Sequence, residues 1–127
     1  GTDRKDVMEV RTLTEGWAQA LQRGVADVCA LYASGATLHP TYMDRFITDA
    51  SGVREYFEFF VPQRPVVHIL KSSQSRLADN AILHTGTYKI ELGPCNCRDL
   101  VHARFTFVWQ LLSAEWQITH HHSSESP

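Results

Sequence analysis

The chain has 127 residues, of which 43% are hydrophobic and 20% are charged, a composition that is normal for a globular domain. A chain of this length can bury one core without disulfides or metal, and its formal net charge of -2 gives no electrostatic reason to expect nucleic acid or an acidic membrane as partner. Its apolar runs all fall short of the roughly 18 residues that a membrane span requires.

Two helices are predicted in the first 35 residues. Asp3 can cap the first helix, and Gly24 is expected to end it, because glycine adopts a left-handed cap at the lowest cost. A short second helix is expected to end at Gly35. The apolar residues of the first helix are Val7, Val10, Leu13, Trp17 and Leu21, and those of the second are Val25, Val28, Cys29 and Tyr32.

A short strand and a third helix come next. Residues 36–39 are expected to be extended. Asp49 or Ser51 can cap the third helix, and Pro62 is expected to stop it, because proline cannot continue the backbone hydrogen bonds. The predicted buried stripe of this helix is Val53, Tyr56, Phe57 and Phe60.

The second half of the chain is typical of β-structure. Short connections at 79–80 and 113–114, and a longer one at 93–98, predict an antiparallel meander. This order of elements favours an α+β fold, in which a strongly curved antiparallel sheet wraps around three helices as a cone with a cavity at its open end. The four predicted strands are residues 66–77, 81–92, 99–112 and 115–124.

Three consecutive histidines near the end of the chain allow three interpretations: the remnant of a purification tag, a metal cluster, or a native strand. His121 would point away from the other two, which could hydrogen-bond strand neighbours, line a cavity mouth, or bind a metal together with His102. Two-residue strand spacing is a weak metal signature, and we predict no metal site. The predicted alternating face of this strand is Trp116, Ile118, His120 and His122.

Arg104 lies on a predicted strand whose apolar residues have the opposite parity. It therefore shares a face with His102, Thr106 and Val108. An arginine at this position either recognises a carboxylate-like ligand or pairs with an acidic residue across a dimer interface.

The cysteines indicate neither disulfides nor zinc. Cys29, Cys95 and Cys97 are an odd set, which argues against a disulfide framework and favours a reducing cytoplasm. Cys95 and Cys97 lack a second ligand pair for zinc. Gly1 has the appearance of a scar left by tag cleavage, no signal peptide is expected, and residues 1–127 are expected to form a single domain.

Three segments resemble a known family: LHPTYMDRFITDASGVREYFEFF, DNAILHTGTYKI, and ARFTFVWQLL followed by EWQITHHHSSESP. They are similar to the SgcJ/EcaC group of bacterial proteins, which are small relatives of the calcium/calmodulin-dependent protein kinase II association domain. Both belong to the nuclear-transport-factor-2-like superfamily, also called cystatin-like or SnoaL-like. Domains of this type normally end in histidines followed by Ser-Pro or Met-Pro, so the resemblance implies that the tail is a native strand.

The resemblance also implies where a site would lie. The fold of this family usually forms its cavity mouth at the positions of Trp17, His39, Tyr42 and Asp44. Trp17 could also be part of the core packing, and Asp44 could be a solvated loop residue. Catalytic relatives use an aspartate or histidine base beside a tyrosine, which makes Asp44 with Tyr42 the candidate catalytic pair. The kinase domain carries arginines where this sequence has Phe107 and Thr87, so its basic pocket is not predicted here.

We therefore carry two hypotheses for function. The first is a non-catalytic association domain that forms at least a homodimer through an uncovered apolar sheet face. This domain would bind a small polar or aromatic molecule, and it would have no cofactor and no kinase activity. The second is a small isomerase, cyclase or hydratase with an aspartate or histidine base in the cavity. The predicted ligand-binding residues are Trp17, His39, Tyr42, Tyr88, Arg104, His120 and His122.

Overall fold

A computed structural model describes residues 2–94 and 97–127, with side chains of the first helix described from residue 10 onward. The proposed cap by Asp3 and the predictions for Gly1 and Cys95 lie outside these described parts. The helices are α1 (Thr2–Arg23), α2 (Val25–Cys29) and α3 (Ala50–Phe60), with a short 3-10 turn at Val61–Gln63. The strands are β1 (Tyr32–His39), β2 (Val66–Ala78), β3 (Ala81–Leu92), β4 (Asp99–Leu112) and β5 (Glu115–Glu125).

The helix boundaries follow the predicted signals. α1 ends directly before Gly24, whose φ of 135° suits glycine. Asp49 caps α3, because its Oδ1 accepts a 2.7 Å hydrogen bond from the backbone N–H of Gly52. The predicted stripe of α3 is buried as expected. No helix in the described parts of the chain is both long and apolar enough to span a membrane.

The five strands form one curved sheet in the order β1-β5-β4-β3-β2. The antiparallel meander of β2 to β5 is confirmed. β1, however, pairs with β5 in parallel, so the sheet is mixed and not wholly antiparallel as predicted. The α+β cone of three helices inside a curved sheet is confirmed, and the helices cover one face only.

The boundary between α2 and β1 differs from the prediction. Tyr32 begins β1, opposite Ile118 of β5, and does not extend the second helix. Gly35 does not end a helix: it has a φ of 85° within the strand, where the pairing with β5 is irregular. The positive φ lets the chain pass this irregularity and continue as a strand.

A bulge in β5 changes which side chains face inward. Trp109 pairs with Ile118, whereas the preceding Val108 pairs with His120, so Thr119 is the extra residue. Ile118 is therefore buried in the core while His120 faces the opposite side. The predicted uninterrupted alternation from Trp116 through His122 is wrong for this reason.

Candidate functional site

The inner face of the sheet carries a buried group of aromatic and polar side chains around His121. The Trp17 indole N–H donates to the Tyr32 hydroxyl oxygen at 3.1 Å, and that hydroxyl lies 2.7 Å from Nδ1 of His121. The Phe107 ring stacks on the imidazole with a centroid distance of 4.0 Å. His121 is only 3% exposed, so the surrounding side chains enclose its ring almost completely.

The hydrogen bonds suit a neutral His121. Nδ1 can accept from the Tyr32 hydroxyl, which leaves a proton on Nε2, 3.5 Å from the Tyr88 hydroxyl oxygen. The Tyr88 hydroxyl in turn donates to Ser123 at 2.6 Å. Thr41, in the loop after β1, also donates to Ser123 at 2.6 Å. We call Trp17, Tyr32, Tyr88, His121 and Ser123 the inner network.

A second buried histidine, His84, lies further along the inner face. Its Nδ1 is 2.7 Å from the hydroxyl of Thr14 on α1. The Trp109 indole N–H donates to the same hydroxyl oxygen at 3.1 Å. Because Thr14 has a single hydroxyl proton, it accepts from Trp109 and donates to His84, and this again requires a neutral imidazole.

Burial keeps all these groups uncharged at neutral pH. Removal from water lowers the pKa of His84 to about 4, with a smaller contribution from the positive charge of Arg11. Burial also lowers the pKa of His121 well below its ordinary value. The same cause raises the pKa of the Tyr32 and Tyr88 hydroxyls. The inner face thus combines satisfied, neutral polar groups with aromatic packing.

The opposite face of the sheet, which we call the outer face, is exposed or half-buried. Register between strands aligns its side chains in three rows. The rows are Ser75, Leu83, Val108, His120 and Thr37; Ser73, Thr85, Thr106, His122 and His39; and Lys71, Thr87, Arg104 and Ser124. The predicted shared face of Arg104, Thr106 and Val108 is confirmed, but the face is largely polar and not the apolar face that was predicted.

Three histidines meet at one side of the outer face. The ring centroid of His39 lies 5.1 Å from that of His122 and 6.0 Å from that of His120. Phe46 stacks on His39 at 4.5 Å, and the Thr37 hydroxyl lies 2.7 Å from Nδ1 of His120. We call His39, His120 and His122 the histidine cluster.

Two surface pockets adjoin this cluster. One, the outer groove, has a volume of about 330 Å³ and is lined by Thr85, Gly86, Thr87, Arg104, Phe105, Thr106, His122 and Ser124. The other has a volume of about 380 Å³ and is formed by the loop after β1 against β5, including His39, Asp44, Arg45 and His122. His122 and Ser124 line both.

The structure divides the predicted ligand-binding residues between the two faces. Trp17 and Tyr88 belong to the inner network, where their rings stack with centroids 6.0 Å apart. The other face carries His39, Arg104, His120 and His122. One wall cannot contain both groups, because the sheet lies between them.

No hydrogen bond joins the predicted catalytic pair, Asp44 and Tyr42, in the described part of the chain. Asp44 is exposed and lines the pocket on the outer side. The Tyr42 hydroxyl oxygen is buried and has no hydrogen-bond partner among the described residues, and burial followed by the charges of Glu125 and Asp99 raises its pKa. A general base needs a desolvated position close to its proton, which exposed Asp44 lacks.

The described residues contain no group of three or more histidine, cysteine or acidic side chains arranged to hold a metal. His102 is exposed on β4 and is not part of the histidine cluster. Cys29 and Cys97 are free thiols, and burial is the largest cause that raises the pKa of Cys29.

Sequence reasoning missed Tyr32, His84 and His121 as interior polar residues. His84 and Tyr88 alternate with outward residues on β3, so parity alone could have placed His84 inside. His121 could not be assigned in this way, because the bulge at Thr119 reverses the parity of β5.

The curved sheet around three helices defines this chain as a protein of the nuclear-transport-factor-2-like, cystatin-like fold class. The sequence profile of the calcium/calmodulin dependent protein kinase II association domain matches residues 6–127, and the chain belongs to that family. A solved structure from Xanthomonas campestris, provisionally assigned as such a domain, is 31% identical with a TM-score of 0.90 over 94% of this chain and 86% of that chain. The predicted family relationship is confirmed, while the narrower SgcJ/EcaC assignment stays a prediction.

More distant solved structures share the fold alone. A nuclear-transport-factor-2-like protein of unknown function from Pseudomonas putida KT2440 is 20% identical, with a TM-score of 0.78 over 98% of this chain and 87% of that chain. A provisionally assigned dehydratase of the same fold from Streptomyces avermitilis is 15% identical, with a TM-score of 0.82 over 97% of each chain. A comparison with curated proteins found no match.

Proposed function

We propose that this chain is a homo-oligomeric association domain that pairs with a second copy through the outer face of its sheet. The predicted small-ligand role of Arg104 and the histidine cluster belongs to the same proposal, as does the predicted cytoplasmic location. The proposal includes no kinase activity for residues 1–127.

One observation carries the proposal: the sheet presents a broad face of long strands that the helices leave uncovered. Leu83 and Val108 face each other in register at its centre, and both are only partly buried. Leu100 on the same face of β4 is 55% exposed. An isologous interface would cover these side chains on both copies at once. Membership of an association-domain family supports this role.

The test is sedimentation velocity on the purified chain over a range of micromolar concentrations. We expect a dimer or a larger oligomer. Thr106→Lys adds a charge to the middle row of the outer face, and two-fold symmetry would bring both copies of that charge into the interface. We expect this variant to be monomeric and folded. Gln19→Lys adds the same charge to an exposed position on α1 and should associate like the unchanged protein.

A wild-type chain that sediments as a monomer throughout this range would refute the association. A Thr106→Lys variant that associates as strongly as Gln19→Lys would place the interface elsewhere. Circular dichroism of both variants separates a lost interface from a lost fold.

A second candidate function is acid–base catalysis by His121, and one observation favours it. A neutral imidazole lies 2.7 Å from the Tyr32 hydroxyl, and general acid–base sites use such a pair. The aromatic packing around it argues for a structural role, since substrate would need access to a ring that is only 3% exposed.

Chemical modification separates these two roles of His121. Diethyl pyrocarbonate modifies accessible imidazoles, and in the monomeric Thr106→Lys variant His102 on the exposed side of β4 provides an internal reference. For a structural role, we expect peptide mass spectrometry to find His102 modified and His121 protected in folded protein. Modification of His121 at a rate close to that of His102, with the fold retained, would favour the catalytic role.

A further inference from the structure

The outer groove gathers hydrogen-bond donors from three adjacent strands. In register, Thr85 faces Thr106, and Thr87 faces Arg104. Arg104 also faces Ser124, and Thr106 faces His122. Such opposite side chains have Cβ atoms roughly 5 Å apart, so one small ligand can reach donors on all three strands.

The groove is also positive. Arg104 lies within it, and Lys71 follows on the same row beyond Thr87. Among residues 10–94 and 97–127, no carboxylate forms an ion pair with either cation. The lining of the groove, all of it in the described residues, includes no aspartate or glutamate. A guanidinium with no carboxylate partner, in a groove lined by hydroxyl residues, favours an anion.

From this geometry we infer that the outer groove binds a tetrahedral oxyanion: inorganic phosphate or the phosphate group of a small ester. Four hydroxyl groups, a guanidinium and an imidazole line the groove. Together they offer more donors than the roughly four lone-pair sites of a planar carboxylate can accept. The three or four oxygens of a phosphate group can use them.

The volume distinguishes free phosphate from an ester. At about 330 Å³ the groove is larger than phosphate alone and lies near the lower end of small-molecule sites, which start at about 300 Å³. A compact ester such as glycerol phosphate should therefore bind more tightly than inorganic phosphate.

This site is separate from the inner network, which lies on the other side of the sheet. The inference rests on the proposed function, because a second copy on the outer face would meet Arg104 there. A bound anion would offset that positive charge where two copies come together, so anion binding and association would strengthen each other.

Calorimetric titration of the full chain in a phosphate-free buffer tests the inference, with inorganic phosphate first and glycerol phosphate second. We expect saturable binding by the wild type and by Arg54→Gln, which removes an exposed arginine of α3 that pairs with Glu58 at 3.6 Å. Arg104→Gln should bind at least tenfold more weakly. Thr106→Val, which removes one hydroxyl at nearly constant shape, should bind several-fold more weakly.

Competition and sedimentation complete the test. Sulfate should displace phosphate and acetate should not, and displacement by acetate as good as by sulfate would overturn the tetrahedral assignment. Equal binding by Arg104→Gln and Arg54→Gln, or no binding by folded wild type, would overturn the site.

The oligomeric state measured by sedimentation tests the proposed association independently of the anion site. Phosphate binding by a chain that stays monomeric would refute the proposed association and leave the site. A dimer whose affinity is independent of phosphate, with no calorimetric binding, would refute the site and leave the association.

Discussion

His84 and His121 are the residues through which the interior responds to pH. Each is neutral in the folded protein because burial makes its charged form unfavourable, and each has a hydroxyl group 2.7 Å from Nδ1. Protonation would break the acceptor role of Nδ1 and place a charge among aromatic rings. The inner face is therefore held together by polar contacts that exist only in one protonation state.

The folded protein should lose stability as the pH falls from about 6.5 towards 4. The pKa of His84 is lowered to about 4 in the folded state, whereas an unfolded histidine has a pKa near 6.5. Between these values the unfolded chain binds a proton that the folded chain excludes, so acid favours unfolding. Each such histidine adds at most about 1.4 kcal/mol per pH unit to the slope.

Urea unfolding at a series of pH values checks this prediction. His84→Gln should reduce the acid slope of the unfolding free energy, whatever its effect on stability near neutral pH. His102→Gln, an exposed replacement on β4, is the control for removing a histidine that lies outside the core. Equal slopes for His84→Gln and the wild type would show that His84 is not the group that titrates.

At the level of elements, β2 and β3 approach each other unusually closely at Gly86. The register of β2 is irregular between Ile69 and Lys71, and this irregularity brings the β2 backbone over Gly86. A Cβ atom added there would overlap the Lys71 carbonyl oxygen and lie 2.8 Å from the Cα of Ser72. Both obstacles are backbone, so no side-chain rotation can relieve them.

Gly86→Ala should therefore destabilise the protein by about 1–3 kcal/mol or more, because β2 has to move away from β3. Gly16→Ala is the matched control. It lies within α1, no described atom comes within 4 Å of its added Cβ, and alanine should stabilise the helix by up to about 1 kcal/mol. Urea unfolding of both variants would contradict this account if Gly86→Ala were as stable as Gly16→Ala.

Sequence periodicity placed the strands well and failed where backbone irregularities occur. The starts of β2 to β5 match the prediction and their ends lie within one residue of it, because alternating side chains and short turns determine both. Gly35 and Thr119 mark the failures. Gly35 lies in an irregular part of β1, and Thr119 is the bulge residue of β5. Both irregularities depend on pairing between segments that are distant in sequence, and local sequence patterns carry no information about that pairing.

At the scale of the whole molecule, residue types identified candidate ligand-binding residues but did not reveal that these residues lie on two different faces of the sheet. Trp17, Tyr88, Arg104 and His122 are all suited to ligand binding, and a cone suggests that such residues share a cavity. The side of the sheet on which each one lies depends on register, which the sequence of a single strand does not specify across a bulge.

The histidine cluster should make association depend on pH. Burial lowers the pKa of His120 and His122, with smaller contributions from the neighbouring imidazoles and, for His122, from Arg104, so both are neutral at neutral pH. His39 and Arg104 face them on the outer side, with Asp44 and Arg45 on the adjoining loop. As the pH falls below about 6.5, protonation adds positive charges beside Arg104, and in the proposed dimer it does so on both copies.

We expect the dimer dissociation constant to rise as the pH falls from about 7.5 to 5.5, by at most about tenfold per pH unit for each proton that dissociation takes up. A His120→Gln, His122→Gln double variant should lose most of this dependence. Gln19→Lys, which changes an exposed position on α1, should keep it. Sedimentation at each pH, with circular dichroism to confirm that the chain is folded, separates this effect from acid unfolding of the core. If the double variant and the wild type respond equally to pH, the cluster does not lie at the interface, and the proposed contact through this side of the outer face is refuted.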